Sequence, residues 1–216
     1  MEAGLDTTFD LLVSFGGDGT ILRAITYIRD LGIPVVGVNT GRLGFLSTCQ
    51  KDNVREMVRD FANGKYELVE RSLVTANLEG MPPGGDQLNF ALNEVTVSRK
   101  DTTSMITVET YLNGEYLTSY WADGLIISTP TGSTAYSLSA RGPIVSPRHR
   151  AMLLTPVSPH MLFDRSLVLD PSEVVEIEVS PPELPTTTAG PTAIAIRIIP
   201  AGDADDALVA ETTVTI

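Results

Sequence analysis

Hydrophobic and polar positions follow two different patterns along this chain, and the change falls near Tyr66. In the first stretch, Phe9-Asp10-Leu11-Leu12-Val13-Ser14 is an apolar run with the length of a buried parallel strand, ended by Gly16-Gly17. From Thr20 the apolar positions Ile21, Leu22, Ile25, Ile28 and Leu31 recur at helical spacing, and Gly32 followed by Pro34 predicts the stop. Ile33 to Val38 reads as a second buried strand. Val54, Met57, Val58 and Phe61 then mark an amphipathic helix closed by Asn63-Gly64. Residues 1–65 are therefore predicted as an α/β domain.

After Tyr66 the segments become short and β-rich: Leu68–Leu78, Phe90–Ser98, Met105–Leu112 and Tyr116–Trp121, then Leu167–Leu169, Val174–Val179, Ala193–Ile199 and Leu208–Ile216. Asn113-Gly114 is a hairpin signal, and Pro82-Pro83-Gly84-Gly85 a looser tip. The expectation is a mainly antiparallel domain over 66–180, with a loop from Ser180 to Pro191 and a tail, 181–216, that the pattern leaves open. No internal repeat or heptad pattern is present.

Charge and composition narrow the function. Of 216 residues, 27 are acidic and 15 basic, and a net charge of -12 argues against nucleic acid as partner, because phosphate contacts need a basic face. Hydrophobic residues at 43% exclude disorder as the main state. The longest apolar runs, such as Gly124-Leu125-Ile126-Ile127, are far short of the ~20 residues of a membrane span, and Met1-Glu2-Ala3 begins no signal peptide. A cytoplasmic protein without a membrane partner is expected. Cys49 has no disulfide partner, and His149 and His160 alone make no zinc cluster. Chemistry is left to carboxylates, hydroxyls, backbone amides and a carboxylate-bound Mg²⁺.

Three segments could carry it. Gly16-Gly17-Asp18-Gly19-Thr20 stands where a buried strand meets a helix, so its glycines let a phosphate approach unpaired amides at the helix start. Gly16, Gly17, Gly19 and Thr20 are the candidate phosphate-binding positions. The alternative is a tight turn with Asp18 as helix cap, which would need one polar residue rather than three glycines around it. Asn93-Glu94 lies in an apolar strand, where adjacent residues point to opposite faces, so one of the two polar groups faces inward; an edge strand with a solvated Glu is the competing reading. Third, Asp123-Gly124 leads through a strand to Thr129-Pro130-Thr131-Gly132-Ser133-Thr134-Ala135-Tyr136, a loop of small and hydroxyl residues entering a short helix near Ser133. Such a loop can lie flat on a ligand, with hydroxyls for hydrogen bonds and Tyr136 as an aromatic surface. No Gly-x-Ser-x-Gly elbow marks a nucleophilic serine.

In this order the three segments resemble the NAD kinase family, whose hallmarks are a Gly-Gly-Asp-Gly-Thr loop, an Asn-Glu pair, and an Asp-Gly followed by Thr-Pro-Thr-Gly-Ser-Thr-Ala-Tyr. The likeness runs from about residue 9 to 179 and takes in Gly37–Leu46, similar to the second-strand loop, and Gly142–Val145 and Thr155–His160, similar to later sheet segments. The first motif is shared with diacylglycerol kinase-like lipid kinases; the Thr-Pro-Thr-Gly-Ser-Thr-Ala-Tyr run is the specific one. The resemblance implies a Rossmann-like α/β domain followed by a β-sandwich. It also implies phosphorylation of the adenosine ribose 2′-hydroxyl of NAD by ATP with a divalent metal, Mg²⁺. Asp18 would accept the proton. Asp18, Gly19, Asn93, Glu94, Asp123, Thr134, Ala135, Tyr136, Ser137, Leu138 and Ser139 would bind the dinucleotide, and a homodimer or homotetramer would form through the sandwich.

The chain departs from that pattern in three places. The family places another strand and helix before the position of Phe9, so the α/β sheet is expected to be truncated by that unit. Arg141 stands where the family usually has glycine, and its bulk is expected to narrow the pocket. Ala189-Gly190-Pro191 replaces an Asp-Gly-type turn. A dinucleotide-binding module without turnover and a lipid kinase are the competing functions.

Overall fold

The computed structural model describes residue 5 and residues 7–29, 31–41, 44–78, 89–100 and 104–180, together with the backbone of two later strands. The Pro82–Gly85 tip and residues 181–191 lie outside the described residues. Contacts divide the chain into two compact units, one holding the described residues through Glu70 and the other those from Arg71 onward.

In the first unit, β1 (Leu12–Gly16) leads into α1 (Asp18–Ile28), followed by β2 (Val35–Asn39), β3 (Cys49–Gln50) and α2 (Val54–Ala62). The three strands form a parallel sheet in the order β1-β2-β3, with Leu12 opposite Val35 and Gly16 opposite Asn39. Helix α1 buries Ile21, Ile25 and Ile28, the i, i+4, i+7 stripe visible in the sequence. Parallel strands open their carboxyl ends to ligands in such sheets, and the Gly16–Thr20 turn follows the carboxyl end of β1.

The second unit contains β4 (Val74–Leu78), β5 (Phe90–Ala91), β6 (Glu94–Ser98), β7 (Ile106–Leu112), β8 (Glu115–Ala122) and β9 (Gly124–Ser128). A 3₁₀ turn (Gly132–Thr134) and α3 (Tyr136–Ser139) follow, then β10 (Met152–Val157), β11 (Leu167–Leu169), β12 (Val175–Ser180), β13 (Ile194–Pro200) and β14 (Thr212–Thr215). They build a five-stranded sheet, β11-β10-β9-β6-β14, and a six-stranded sheet, β5-β4-β13-β12-β7-β8. One core cluster joins Val95, Val97, Leu125 and Leu154 of the first with Val108, Tyr120, Ile177 and Val179 of the second, which is the β-sandwich arrangement. Alternation is clean on β7 and β12, whereas β9 is buried at all five positions because the segment after it covers the outer face of its sheet.

Several details differ from the pattern reading. The strand expected from Leu68 begins only at Val74, and residues 65–73 carry no regular element. Gly142–Val145 is not a sheet segment. The strand expected over Phe90–Ser98 is broken at Leu92-Asn93 into β5 and β6, which belong to different sheets, and the edge-strand reading of Glu94 fails, since β6 lies between β9 and β14. Asn113 and Gly114 both take positive φ, 53° and 82°, as a tight hairpin between β7 and β8 requires. In the tail, β13 pairs with β12 and β4, and β14 pairs in parallel with β6, so one late strand enters each sheet.

Candidate active site

In the first unit the helix cap is Gly17 and not Asp18. Gly17 is extended (φ -96°) and makes no side-chain cap bond, while its carbonyl accepts the Thr20 N–H at 2.9 Å. Asp18 is the first helical residue, and its carboxylate reaches across the chain. Oδ2 accepts the N–H of Phe45 at 2.7 Å and Oδ1 accepts the N–H of Leu46 at 3.1 Å. Charge-assisted bonds of this length hold a carboxylate in one orientation.

The glycines of the turn have different reasons to be glycine. At Gly16 a Cβ would lie 2.2 Å from the Thr20 hydroxyl, a steric demand of the turn itself. At Gly17 and Gly19 a Cβ would meet nothing within 4 Å, and neither has a left-handed backbone. Packing does not require glycine there. The missing side chains leave open room over the amides at the start of an eleven-residue helix, which is what an approaching phosphate needs.

In the second unit the structure joins two of the sequence segments into one knot. Asn93 and Glu94 are 7% and 8% exposed, against the solvated Glu of the alternative reading. The Asn93 carbonyl accepts the Thr129 N–H at 2.9 Å, and the Thr129 hydroxyl donates to the Leu92 carbonyl while accepting the Gly132 N–H at 3.1 Å. Gly132 lies directly against this peptide: a Cβ would be 2.1 Å from the Asn93 carbonyl oxygen. Ser133, fully buried, is a tie rather than a helix cap. Its hydroxyl reaches the carbonyls of Pro130 (2.7 Å) and Val145 (3.1 Å) and accepts the Val145 N–H at 3.0 Å.

The proposed dinucleotide residues then separate by exposure. Ser137 is buried, with its hydroxyl 3.1 Å from that of Thr155, so its side chain holds α3 to β10. Tyr136, Leu138 and Ser139 are exposed, while Thr134 and Ala135 are half-buried. Asp123 lies at the opposite end of β9 from Thr129, ~20 Å away at strand rise, and pairs with Arg99 Nε at 3.1 Å. The chain returns toward that end through α3. Tyr136 and Ser139 line a cleft of about 880 Å³ together with Arg141, Val157, Asp164 and Arg165, and the Val157 carbonyl accepts the Asp123 N–H at 2.9 Å. Asp164 also acts on Tyr120 of β8, whose phenol is pushed up to about 12, first by burial and then by the Asp164 charge.

Arg141 lines this cleft and is exposed at its wall. Its backbone explains why glycine suits the position. Arg141 follows the end of α3 with φ 67°, and the N–H groups of Arg141 and Gly142 return to the carbonyls of Leu138 (3.0 Å) and Ser137 (2.7 Å), the glycine-favouring termination of a helix. Arg141→Gly is expected to raise stability by about 0.5–1 kcal/mol, the relief of left-handed strain less the entropy of the freer unfolded chain. Arg141→Ala should not, and urea midpoints of the two variants check the contrast.

Sequence reasoning missed Gly44, Phe45 and Leu46 as partners of Asp18, and Gly132 as the contact to Asn93. Their signal was a glycine at 44 and at 132 inside segments already resembling the family. Among the described residues no group of three or more His, Cys, Asp or Glu could hold a metal, and no helix is long and apolar enough to cross a membrane.

Family models bear on both units: the ATP-NAD kinase N-terminal domain matches residues 1–66, and the ATP-NAD kinase C-terminal domain matches residues 92–202. The chain belongs to the NAD kinase family. The NAD kinase of Flavobacterium johnsoniae is 53% identical over 179 residues, covering 83% of this chain and 61% of that protein. That of Heliobacterium modesticaldum is 47% identical over 171 residues, covering 79% and 60%. The chain thus spans about three fifths of the length of these curated relatives. Among solved structures, yeast NADH kinase complexed with NADH superposes with a TM-score of 0.80 at 30% identity, over 96% of this chain and 62% of that one. An NAD kinase from Archaeoglobus fulgidus in complex with ATP gives 0.72 at 30% identity, over 90% and 75%. The α/β and β-sandwich architecture is that of this family.

Proposed function

We propose that the chain acts as an NAD kinase, transferring the γ-phosphoryl group of ATP to the 2′-hydroxyl of the adenosine ribose of NAD to give NADP and ADP. The observation that carries this reading is the Asp18 carboxylate, fixed at the first turn of α1 beside the open glycines 17 and 19. In the step, the 2′-oxygen bonds to the γ-phosphorus as the bond to the ADP oxygen breaks, and the hydroxyl proton passes to Asp18. Transition states of this class are loose, so orientation and charge neutralisation matter more than a strong base. Gly16, Gly17, Gly19 and Thr20 present the turn to phosphate. Asn93, Glu94, Asp123 and the exposed part of Thr134–Ser139 bind the dinucleotide.

A divalent ion fits this donor set in one form. With a single carboxylate in the turn, the residues suit Mg²⁺ carried on the phosphates of the nucleotide with Asp18 as its protein partner, where it would neutralise phosphate charge. The relatives' names support NAD as acceptor, and the ATP complex of the Archaeoglobus fulgidus protein supports ATP as donor. We also propose a cytoplasmic homo-oligomer. The exposed apolar run Met161-Leu162-Phe163 on the sandwich unit supports the oligomer, and light scattering at the mass of a dimer or tetramer checks it.

Incubation of the protein with ATP, Mg²⁺ and NAD is expected to yield NADP, read by an NADP-specific dehydrogenase. NAD binding by calorimetry without any NADP would replace this reading with that of a binding module. Activity on diacylglycerol in micelles would favour the lipid kinase.

A further inference from the structure

We infer that Gly44, Phe45 and Leu46 form a positioning clamp for the Asp18 carboxylate, with the Phe45 and Leu46 amides fixing its two oxygens and the bare Cα of Gly44 making the room it occupies. The inference rests on the proposed role of Asp18 as proton acceptor and adds to it the residues that aim the acceptor.

Three observations carry it. First, among the described residues the hydrogen bonds of the Asp18 carboxylate run not to its own helix but to residues 27 and 28 positions later in the chain. A residue present only to start α1 has no reason to reach that far. Second, each oxygen takes one amide, which removes rotation about the last side-chain bond and leaves each oxygen a further lone pair for an incoming proton. Third, a Cβ on Gly44 would lie 2.1 Å from Oδ1, 2.5 Å from Cγ and 2.6 Å from Oδ2 of Asp18. Gly44 has no left-handed φ, so backbone conformation does not ask for glycine; the carboxylate does. The segment is held by the sheet it connects, between β2 and β3, where the Thr48 N–H donates to the Gly37 carbonyl at 3.2 Å. A base held from two directions by a sheet-anchored segment stays within the narrow range of positions that phosphoryl transfer tolerates.

The test uses the whole chain and a double-mutant cycle. Gly44→Ala is expected to lower kcat by ~10–100-fold, the scale of a misplaced catalytic group, with KM for NAD changed by less than about threefold. Gly41→Ala, where a Cβ meets nothing within 4 Å, is expected to leave kcat unchanged. In an Asp18→Asn background, Gly44→Ala should produce no further loss, because the group it displaces is no longer the acceptor. An additive loss, or a Gly44→Ala variant with normal kcat, would overturn the clamp. A second measurement does not depend on activity: the Phe45 and Leu46 amides should be protected from hydrogen exchange in the wild type and lose that protection in Asp18→Ala. Unchanged protection in Asp18→Ala overturns the clamp, whereas a wild type that forms no NADP yet shows the exchange pattern overturns only the assigned function.

Discussion

Asp18→Asn is expected to fold and to lose turnover, by ~10²–10⁴-fold in kcat with NAD affinity changed much less, the usual range for removing a general base. The structure sharpens what else should change. Because Gly17 rather than Asp18 caps α1, the helix start is untouched. Asparagine keeps one oxygen to accept from Phe45 or Leu46 and sets an NH₂ group against the other amide, so one hydrogen bond is lost, at about 1–2 kcal/mol. If Asp18 served structure alone, that modest loss would be the whole effect and turnover would stay near normal. Rate and urea midpoint measured on one preparation separate the two cases, and a variant that keeps most of its rate removes Asp18 from the mechanism.

Gly132→Ala is expected to be the most damaging small substitution in the sandwich unit. The added methyl would meet backbone, with the Asn93 carbonyl oxygen at 2.1 Å, its carbon at 2.5 Å and its Cα at 2.7 Å. A side chain can swing away from such an overlap; the Asn93 peptide, fixed at the entry to β6 and bonded to the Thr129 N–H, cannot. The 129–132 segment must lift, breaking the Thr129 bonds to Asn93 and Leu92 and disturbing the approach to Tyr136. Overpacking of this kind costs about 3 kcal/mol. Both the denaturation midpoint and NAD binding should fall, and calorimetry at a temperature where the variant is folded isolates the second. Normal stability with normal NAD affinity would show that the Asn93–Gly132 contact holds neither fold nor site.

Much of the fold could be read from periodicity alone. The stripe Ile21, Ile25, Ile28 and the Asn113-Gly114 hairpin needed only spacing and turn chemistry, because each is settled by interactions a few residues apart. What could not be read is long-range. Nothing near Asp18 shows that its partners are the Phe45 and Leu46 amides, since backbone donors have no identity in a sequence. Val74 as the true start of β4 depends on pairing with β5 and β13, not on the apolar residues before it. Arg141 was legible as a substitution for glycine beside the pocket, and it does line the cleft, but not as a left-handed residue ending α3, so the backbone strain it carries could not be read. In the candidate site, motif adjacency grouped Asp123 with the Thr129–Tyr136 loop, whereas β9 holds them at its two ends. Ser137 looked like its exposed neighbours and is instead buried against Thr155.

The most direct test of the account follows the phosphoryl group itself. ATP labelled on its γ-phosphorus is incubated with Mg²⁺, NAD and the protein, and the dinucleotide product is separated and its phosphate located on the ribose. The account predicts label in NADP, as a monoester on the 2′-oxygen of the adenosine ribose, formed by the wild type and reduced by at least ~10²-fold in Asp18→Asn. Label appearing only as inorganic phosphate, or transferred equally well by Asp18→Asn, would contradict it.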